Sequence, residues 1–134
     1  YWSCKAVRPE AEIYSTDVCV PISKLSDCII ETIEDMEKNE LIGPIVSHAG
    51  DGNFHVALLI DKKNQVELDK LDSFLVRISE RAIRMNGTCT GEHGVGQGKR
   101  KYMLKELGNA VDVMKKVKNA FDPNKIMNPG KLFL

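Results

Sequence analysis

Apolar positions along the chain change period several times, and each change predicts an element. Over residues 14–20 they alternate, with Tyr14, Thr16, Val18 and Val20 on one face and Ser15, Asp17 and Cys19 on the other. A two-residue period in β-branched and aromatic side chains predicts a strand. Pro21 ends it and Ser23 offers an N-cap. Leu25, Ile29, Ile33 and Met36 then recur at helical spacing, with Glu31, Glu34, Asp35 and Glu37 on the remaining faces, which predicts an amphipathic helix ending near Lys38. Gly43-Pro44 resets the chain before a short strand at 45–48 and a longer one at 54–60. Between these strands lies Asp51-Gly52, a pair that favours hairpins.

The next apolar set, Val66, Leu68, Leu71, Phe74, Leu75, Ile78, Ala82 and Met85, keeps the 3.6-residue period and predicts the longest helix, stopped by Asn86-Gly87 in a left-handed turn. Residues 88–90 have room for one short strand. The order β-α-β-β-α-β is that of a ferredoxin-like α+β fold, an antiparallel sheet with two helices on one face. Two further helices are predicted at 101–107 and 109–121, followed by the turn sequences Asp122-Pro123-Asn124 and Asn128-Pro129-Gly130.

Composition narrows the function classes. A chain of 134 residues has room for one domain, so 1–134 reads as a single unit and a two-domain enzyme is excluded. Lys and Arg (19) balance Asp and Glu (19), so no global field recruits nucleic acid or an anionic membrane. The longest apolar run, from Val56 to Ile60, is far short of the roughly 18 residues that cross a bilayer, so no transmembrane segment is expected. The chain opens on Tyr1-Trp2 without Met or a signal pattern, which is expected of a piece of something longer. Cys4, Cys19, Cys28 and Cys89 lack metal-site or redox spacing, which favours a reducing, intracellular compartment.

Candidate chemistry is concentrated in two glycine-rich stretches. All three histidines lie there: His48 and His55 flank Ala49-Gly50-Asp51-Gly52-Asn53-Phe54, and His93 lies within Thr90-Gly91-Glu92-His93-Gly94-Val95-Gly96. If 45–48 and 54–60 pair as a hairpin, the imidazoles of His48 and His55 point to one face, and two such nitrogens are half of a metal site. Glu92 arrives from a third segment. A His/His/Glu set leaves coordination positions open for water or substrate, as catalytic metal sites require. Asp51 and Asn53 read as turn formers.

Other motifs fail. A Walker A loop through Gly98-Lys99 needs Gly where His93 stands and Ser or Thr where Arg100 stands. The dinucleotide pattern beginning at Gly94 needs Gly where Lys99 stands. The nine Lys/Arg against three Asp/Glu over 99–131 lack interleaved aromatic platforms, so they suit a solvated face or an acidic partner domain better than RNA.

Three stretches in order, 47–55, 87–96 and 121–131, resemble the C-terminal portion of FAD-linked oxidases of the vanillyl-alcohol oxidase type. The likeness is to the D-lactate dehydrogenase (cytochrome) and glycolate oxidase large-subunit branch, and Tyr14-Ser15-Thr16-Asp17-Val18-Cys19-Val20-Pro21 adds to it. The resemblance implies a C-terminal cap domain whose FAD is held mainly by an N-terminal domain outside this chain. It implies His48, His55 and Glu92 as ligands of a divalent metal, Zn or Mn, His93 as the base for the substrate hydroxyl, and Asn128, in the tail motif, as a cofactor contact. One departure stands out: family members carry a longer helical segment with a carboxylate-gripping arginine after a Trp like Trp2, whereas here Trp2-Ser3-Cys4-Lys5 runs almost at once into Arg8-Pro9, so no substrate arginine is assigned.

The reaction so implied is oxidation of a D-2-hydroxy acid such as D-lactate or glycolate, with hydride passing to FAD and electrons going on to a cytochrome or electron-transfer protein. The implied location is the bacterial cytoplasm or a mitochondrion. These 134 residues alone are expected to be inactive, because no phosphate-cradling loop in them passes the tests above. Two other readings compete: a metal- or ligand-binding regulatory domain of ferredoxin-like fold, and a metallohydrolase using the same three ligands to activate water.

Overall fold

Strand β4 (Asn53–Ile60) is the hub of the sheet, because every other named strand pairs with it. On one edge it pairs antiparallel with β3 (Ile45–His48), and on the other with β1 (Glu12–Ser15) and then β2 (Val18–Cys19). The register runs without a slip from Glu12↔Ile60 to Cys19↔Asn53, so β1 and β2 are one strand in which regular pairing lapses at Thr16-Asp17. Beyond β2 the sheet is continued only by a bridge between Cys19 and Thr88, closed by Cys19 N–H to the Thr88 carbonyl at 3.2 Å and Thr88 N–H to the Cys19 carbonyl at 2.7 Å. The spatial order is therefore the Thr88 segment, β1/β2, β4, β3. This is an α+β antiparallel sheet in ferredoxin-like order, with the expected strand at 88–90 reduced to a bridge. The structure, a computed structural model, describes residues 2–133.

The two-residue period of β4 sorts its side chains. Phe54, Val56, Leu58 and Ile60 point to one face and are buried with Val18 and Val20 against α2 (Ile22–Lys38) and α3 (Gln65–Arg84). From α3 this core receives Leu71, Phe74, Ile78 and Ala82, and from α2 it receives Cys28 and Met36. Helix α3 starts where Asn64 accepts the Val66 N–H and stops where Asn86 takes φ 61, as its sequence predicts. The short α1 (Trp2–Lys5) precedes β1.

Several expectations need correction. Ser23 does not cap α2; Pro21 does, with its fixed φ of −50° leading into the first turn and its carbonyl accepting the Lys24 N–H. Ile33 is exposed and Asp35 is buried, the reverse of the amphipathic assignment. The loop at Asp51-Gly52 is a 3-10 turn over Ala49–Asp51 closed by Gly52 at φ 75, not a two-residue hairpin turn.

Asp35 is buried because α3 brings two guanidinium groups to it. Arg77 Nε donates to both carboxylate oxygens at 2.9 and 3.0 Å, and Arg81 Nη2 donates to Oδ2 at 2.7 Å. Arg77 Nη2 also lies 2.7 Å from Oδ1, but off the hydrogen-bonding axis, so it adds charge contact and no directed bond. Arg81 also donates to Thr32, and Arg84 reaches Glu31. The two helices are thus joined by charge on one side and apolar packing on the other.

The chain separates into two compact units, residues 1–92 and 93–134. The second holds α4 (Met103–Leu107) and α5 (Ala110–Phe121), both close to expectation. Its tail is organised by buried Asp122, which accepts the backbone N–H groups of Ile126 and Met127 and pairs with Lys118. No helix among the described residues is long and apolar enough to cross a membrane.

Burial works to raise the Asp35 pKa, but the Arg77 and Arg81 hydrogen bonds outweigh it and hold the carboxyl below its usual range. Asp35→Ala is expected to lower unfolding stability by about 3 kcal/mol, the lower end for breaking a buried ion pair because Arg77 is partly solvated. Urea titration reads the loss. A carboxyl with a depressed folded pKa contributes stability above its unfolded pKa of about 3.9 and loses it as pH falls through the folded value, so wild type and variant should converge in stability in strong acid.

Candidate metal centre

The sheet face opposite the helices carries the odd-numbered residues of β4. Because Val46 pairs with His55 and His48 with Asn53, both histidines lie on that face as diagonal neighbours, the predicted hairpin placement. Their rings meet edge to face at 6.1 Å between centroids. After the Thr88 bridge the chain turns across the same face and delivers Glu92, whose Oε1 is 3.2 Å from His55 Nε2 and whose Oε2 is 3.8 Å from His48 Nε2. One ligand atom from each of the three residues lies within 4.8 Å of the others.

The orientation of His55 has a definite cause. At the lapse between β1 and β2, Thr16 N–H still donates to the Val56 carbonyl at 3.0 Å, but Val56 N–H donates to the Thr16 hydroxyl at 2.9 Å instead of to the Thr16 carbonyl. That carbonyl is taken by His55 Nδ1 at 2.8 Å. A carbonyl only accepts, so Nδ1 carries a proton, and Nε2 is the nitrogen turned toward Glu92. This is the arrangement that metal-binding histidines use, with the far nitrogen bonded to a backbone oxygen. Two ligands about 2.1 Å from a divalent ion at 90–110° stand about 3.0–3.4 Å apart, so the His55–Glu92 spacing fits and His48 needs a small inward shift. The donor set, two imidazole nitrogens and a carboxylate, suits Zn or Mn. His48 and Glu92 are exposed and His55 nearly buried, so further coordination positions would face solvent.

The Glu92 loop is seated on a buried carboxylate that the sequence reading left on a strand face without a role. Asp17, the register partner of His55, accepts the Glu92 N–H at 3.2–3.3 Å, the Thr90 hydroxyl at 3.3 Å and Asn53 Nδ2 at 2.9 Å. Asn53, read as a turn former, is buried and also donates to the Val18 carbonyl at 2.9 Å. Gly91 allows the close approach: a Cβ there would run into the Asn53 amide nitrogen and lie 2.7 Å from Asp17 Oδ1. The available signal was the register, which places Asp17 directly opposite the candidate ligand His55 on the same face.

Residues 2–132 match the model of the family described as FAD linked oxidases, C-terminal domain. The chain belongs to this family. It is 47% identical over 133 residues to a probable mitochondrial D-lactate dehydrogenase of Danio rerio, covering 98% of this chain and 27% of that protein. It is 48% identical over 130 residues to the mitochondrial D-lactate dehydrogenase [cytochrome] 1 of Saccharomyces cerevisiae, covering 96% and 22%. To the glycolate oxidase subunit GlcD of Bacillus subtilis it is 40% identical over 119 residues, covering 87% and 25%. The chain thus spans about a quarter of the length of these curated relatives.

Within this FAD-linked oxidase domain the remaining expected residues are placed as follows. His93 is exposed and opens the second unit, one peptide bond after Glu92. Asn128 is exposed in the tail at φ 47, where its carbonyl accepts the Lys131 N–H at 3.2 Å. Arg8 is engaged elsewhere: it pairs bidentately with Glu67 at 2.8 and 3.0 Å beside the Leu59 carbonyl, toward the end of β4 away from His55. The Arg8 hydrogen bonds pull the Glu67 carboxyl down to about 2, so this arginine is held in a structural pair and offers no carboxylate clamp at the histidines. The Trp2 side chain lies outside the described residues.

The hydrogen-bond pattern at Thr16 predicts a proton on His55 Nδ1. Nitrogen-15 correlation spectra should show that nitrogen protonated. An Nδ1 without a proton would contradict the assignment.

Proposed function

We propose that this chain is the substrate-facing C-terminal part of a flavin-dependent D-2-hydroxy-acid dehydrogenase of the D-lactate or glycolate type. In this reading His48, His55 and Glu92 hold one divalent metal, Zn or Mn, and His93 is the catalytic base. The observation that carries it is the convergence of the three ligand side chains on the open sheet face, with His55 already oriented through Nδ1. The names of the relatives, D-lactate dehydrogenases and glycolate oxidase subunits, supply the substrate class.

When bound, the metal supplies Lewis acidity toward the substrate hydroxyl and FAD accepts the hydride. The protein's own work lies around these groups. Glu92 brings the negative charge that two neutral imidazoles lack, and His55 is kept from rotating by the Thr16 carbonyl. His93, bonded to Glu92 and flanked by Gly94, takes the hydroxyl proton. Asn128 contributes to the cofactor contact. FAD is held mainly by a domain outside this chain, and electrons pass from it to a cytochrome or electron-transfer protein. The names of the yeast and fish relatives favour a mitochondrial setting, with the bacterial cytoplasm as the alternative.

Metal analysis of protein purified without chelator is the direct test: His55→Ala should lower occupancy about tenfold or more, and unchanged metal content would remove His55 from the ligand set. In the full-length enzyme, His93→Ala should lower kcat by about 10²–10⁴-fold with metal and flavin retained, whereas Glu92→Ala should lose metal together with activity. Equal loss of metal in both variants would contradict the division of roles. Residues 1–134 alone should turn over no 2-hydroxy acid and bind FAD only weakly in equilibrium dialysis.

A further inference from the structure

We infer that Asp17 is a positioning residue of the metal centre, acting through Glu92. The inference rests on the metal reading of His48, His55 and Glu92. Glu92 is the ligand that comes from outside the sheet, and its side chain is half exposed. Its backbone is held by Asp17. Both oxygens of Asp17 lie 3.2–3.3 Å from the Glu92 nitrogen, and Oδ2 also accepts the Thr90 hydroxyl. Asp17 is only 5% exposed and is oriented by Asn53 Nδ2 at 2.9 Å. Asn53 is itself committed to this duty: its amide nitrogen donates to both Asp17 and the Val18 carbonyl, while its Oδ1 is buried without a hydrogen-bond partner among the described residues. A buried acceptor left unmade costs free energy, so the amide is being held by its donors, and the stronger of the two acceptors is the Asp17 carboxylate.

Asp17 also sits 3.9 Å from His55 Nδ1 without receiving its proton, because that proton goes to the Thr16 carbonyl. The two adjacent residues thus serve two ligands: Thr16 sets the His55 ring through its carbonyl, and Asp17 sets the Glu92 backbone through its carboxylate. The lapse in strand pairing at 16–17 makes both contacts available at the one point of the sheet that faces the ligands.

The test uses Asp17→Asn in the full chain, which keeps shape and replaces one acceptor oxygen by a donor. Two readouts are taken well below the unfolding midpoint. In the metal-free protein, amide hydrogen exchange at Glu92 should speed up at least tenfold. Mn²⁺ affinity, read from the free-ion electron paramagnetic resonance signal, should weaken by about 10–100-fold, the usual range for a partner one step removed from the metal. Gly91→Ala, which keeps the Asp17 carboxylate but pushes the loop off Asn53 and Asp17, should reproduce both effects; Ile78→Ala, a core change on α3 that lowers stability, should reproduce neither. Unchanged affinity in Asp17→Asn, or weakened affinity with Glu92 exchange unaltered, overturns the inference, as does an equal loss in Ile78→Ala. Absence of Mn²⁺ and Zn²⁺ binding in the wild type would instead overturn the metal reading itself, and this inference with it.

Discussion

The exchange of hydrogen bonds at Thr16 is the interaction on which the site depends. In a regular antiparallel pair the Thr16 carbonyl would accept the Val56 N–H, and His55 would have no backbone acceptor on its own face. Here the threonine hydroxyl takes over that duty at 2.9 Å, and the released carbonyl turns to His55 Nδ1. The substitution leaves neither the Val56 N–H nor the Thr16 carbonyl without a partner. It also explains why the strand lapses at 16–17 and resumes in the same register at Val18.

The rest of the first unit can be understood as what makes that lapse tolerable. Val18, Phe54, Val56 and Leu58 on the helix side are fully buried and hold the two strands together from below, where the apolar faces of α2 and α3 close over them. Asp35, shared between Arg77 and Arg81, fixes how the two helices lie against each other at the edge of that layer. With one sheet face sealed, the other is available for polar chemistry, and its interior carboxylate, Asp17, anchors an irregular loop that no strand pairing would hold.

The family match and the site agree in a particular way. Two of the three stretches that carry the resemblance to FAD-linked oxidases are 47–55 and 87–96, and the sheet brings the first of them close to the start of the second through β4 and the Thr88 bridge. The glycines in them serve different ends: Gly52 turns the backbone at φ 75, while Gly91 leaves room for Asn53 and Asp17. A glycine pattern alone does not distinguish a turn from a close approach; the neighbour that would be struck does.

Periodicity and local turn chemistry determined the order of the main strands and helices, α1 excepted, together with the αL stop at Asn86, the pairing of 45–48 with the long strand and hence the common face of His48 and His55, because these follow from local backbone preferences and from the two-residue and 3.6-residue repeats. The resemblance carried by three ordered motifs determined the family. Tertiary structure decided what depends on contacts between distant residues. Asp35 reads as a surface residue by its helical position and is buried because Arg77 and Arg81 arrive from another helix. Residues 88–90 have the composition of a strand but form a bridge, because the chain leaves the sheet to reach Asp17. Thr16, Asp17 and Asn53 look like ordinary strand and turn residues; the role of Thr16 exists only once Val56 and His55 lie beside it, and those of Asp17 and Asn53 only once the later 90–92 loop folds across them, a closure whose entropy cost grows only slowly with loop length and which no local pattern records.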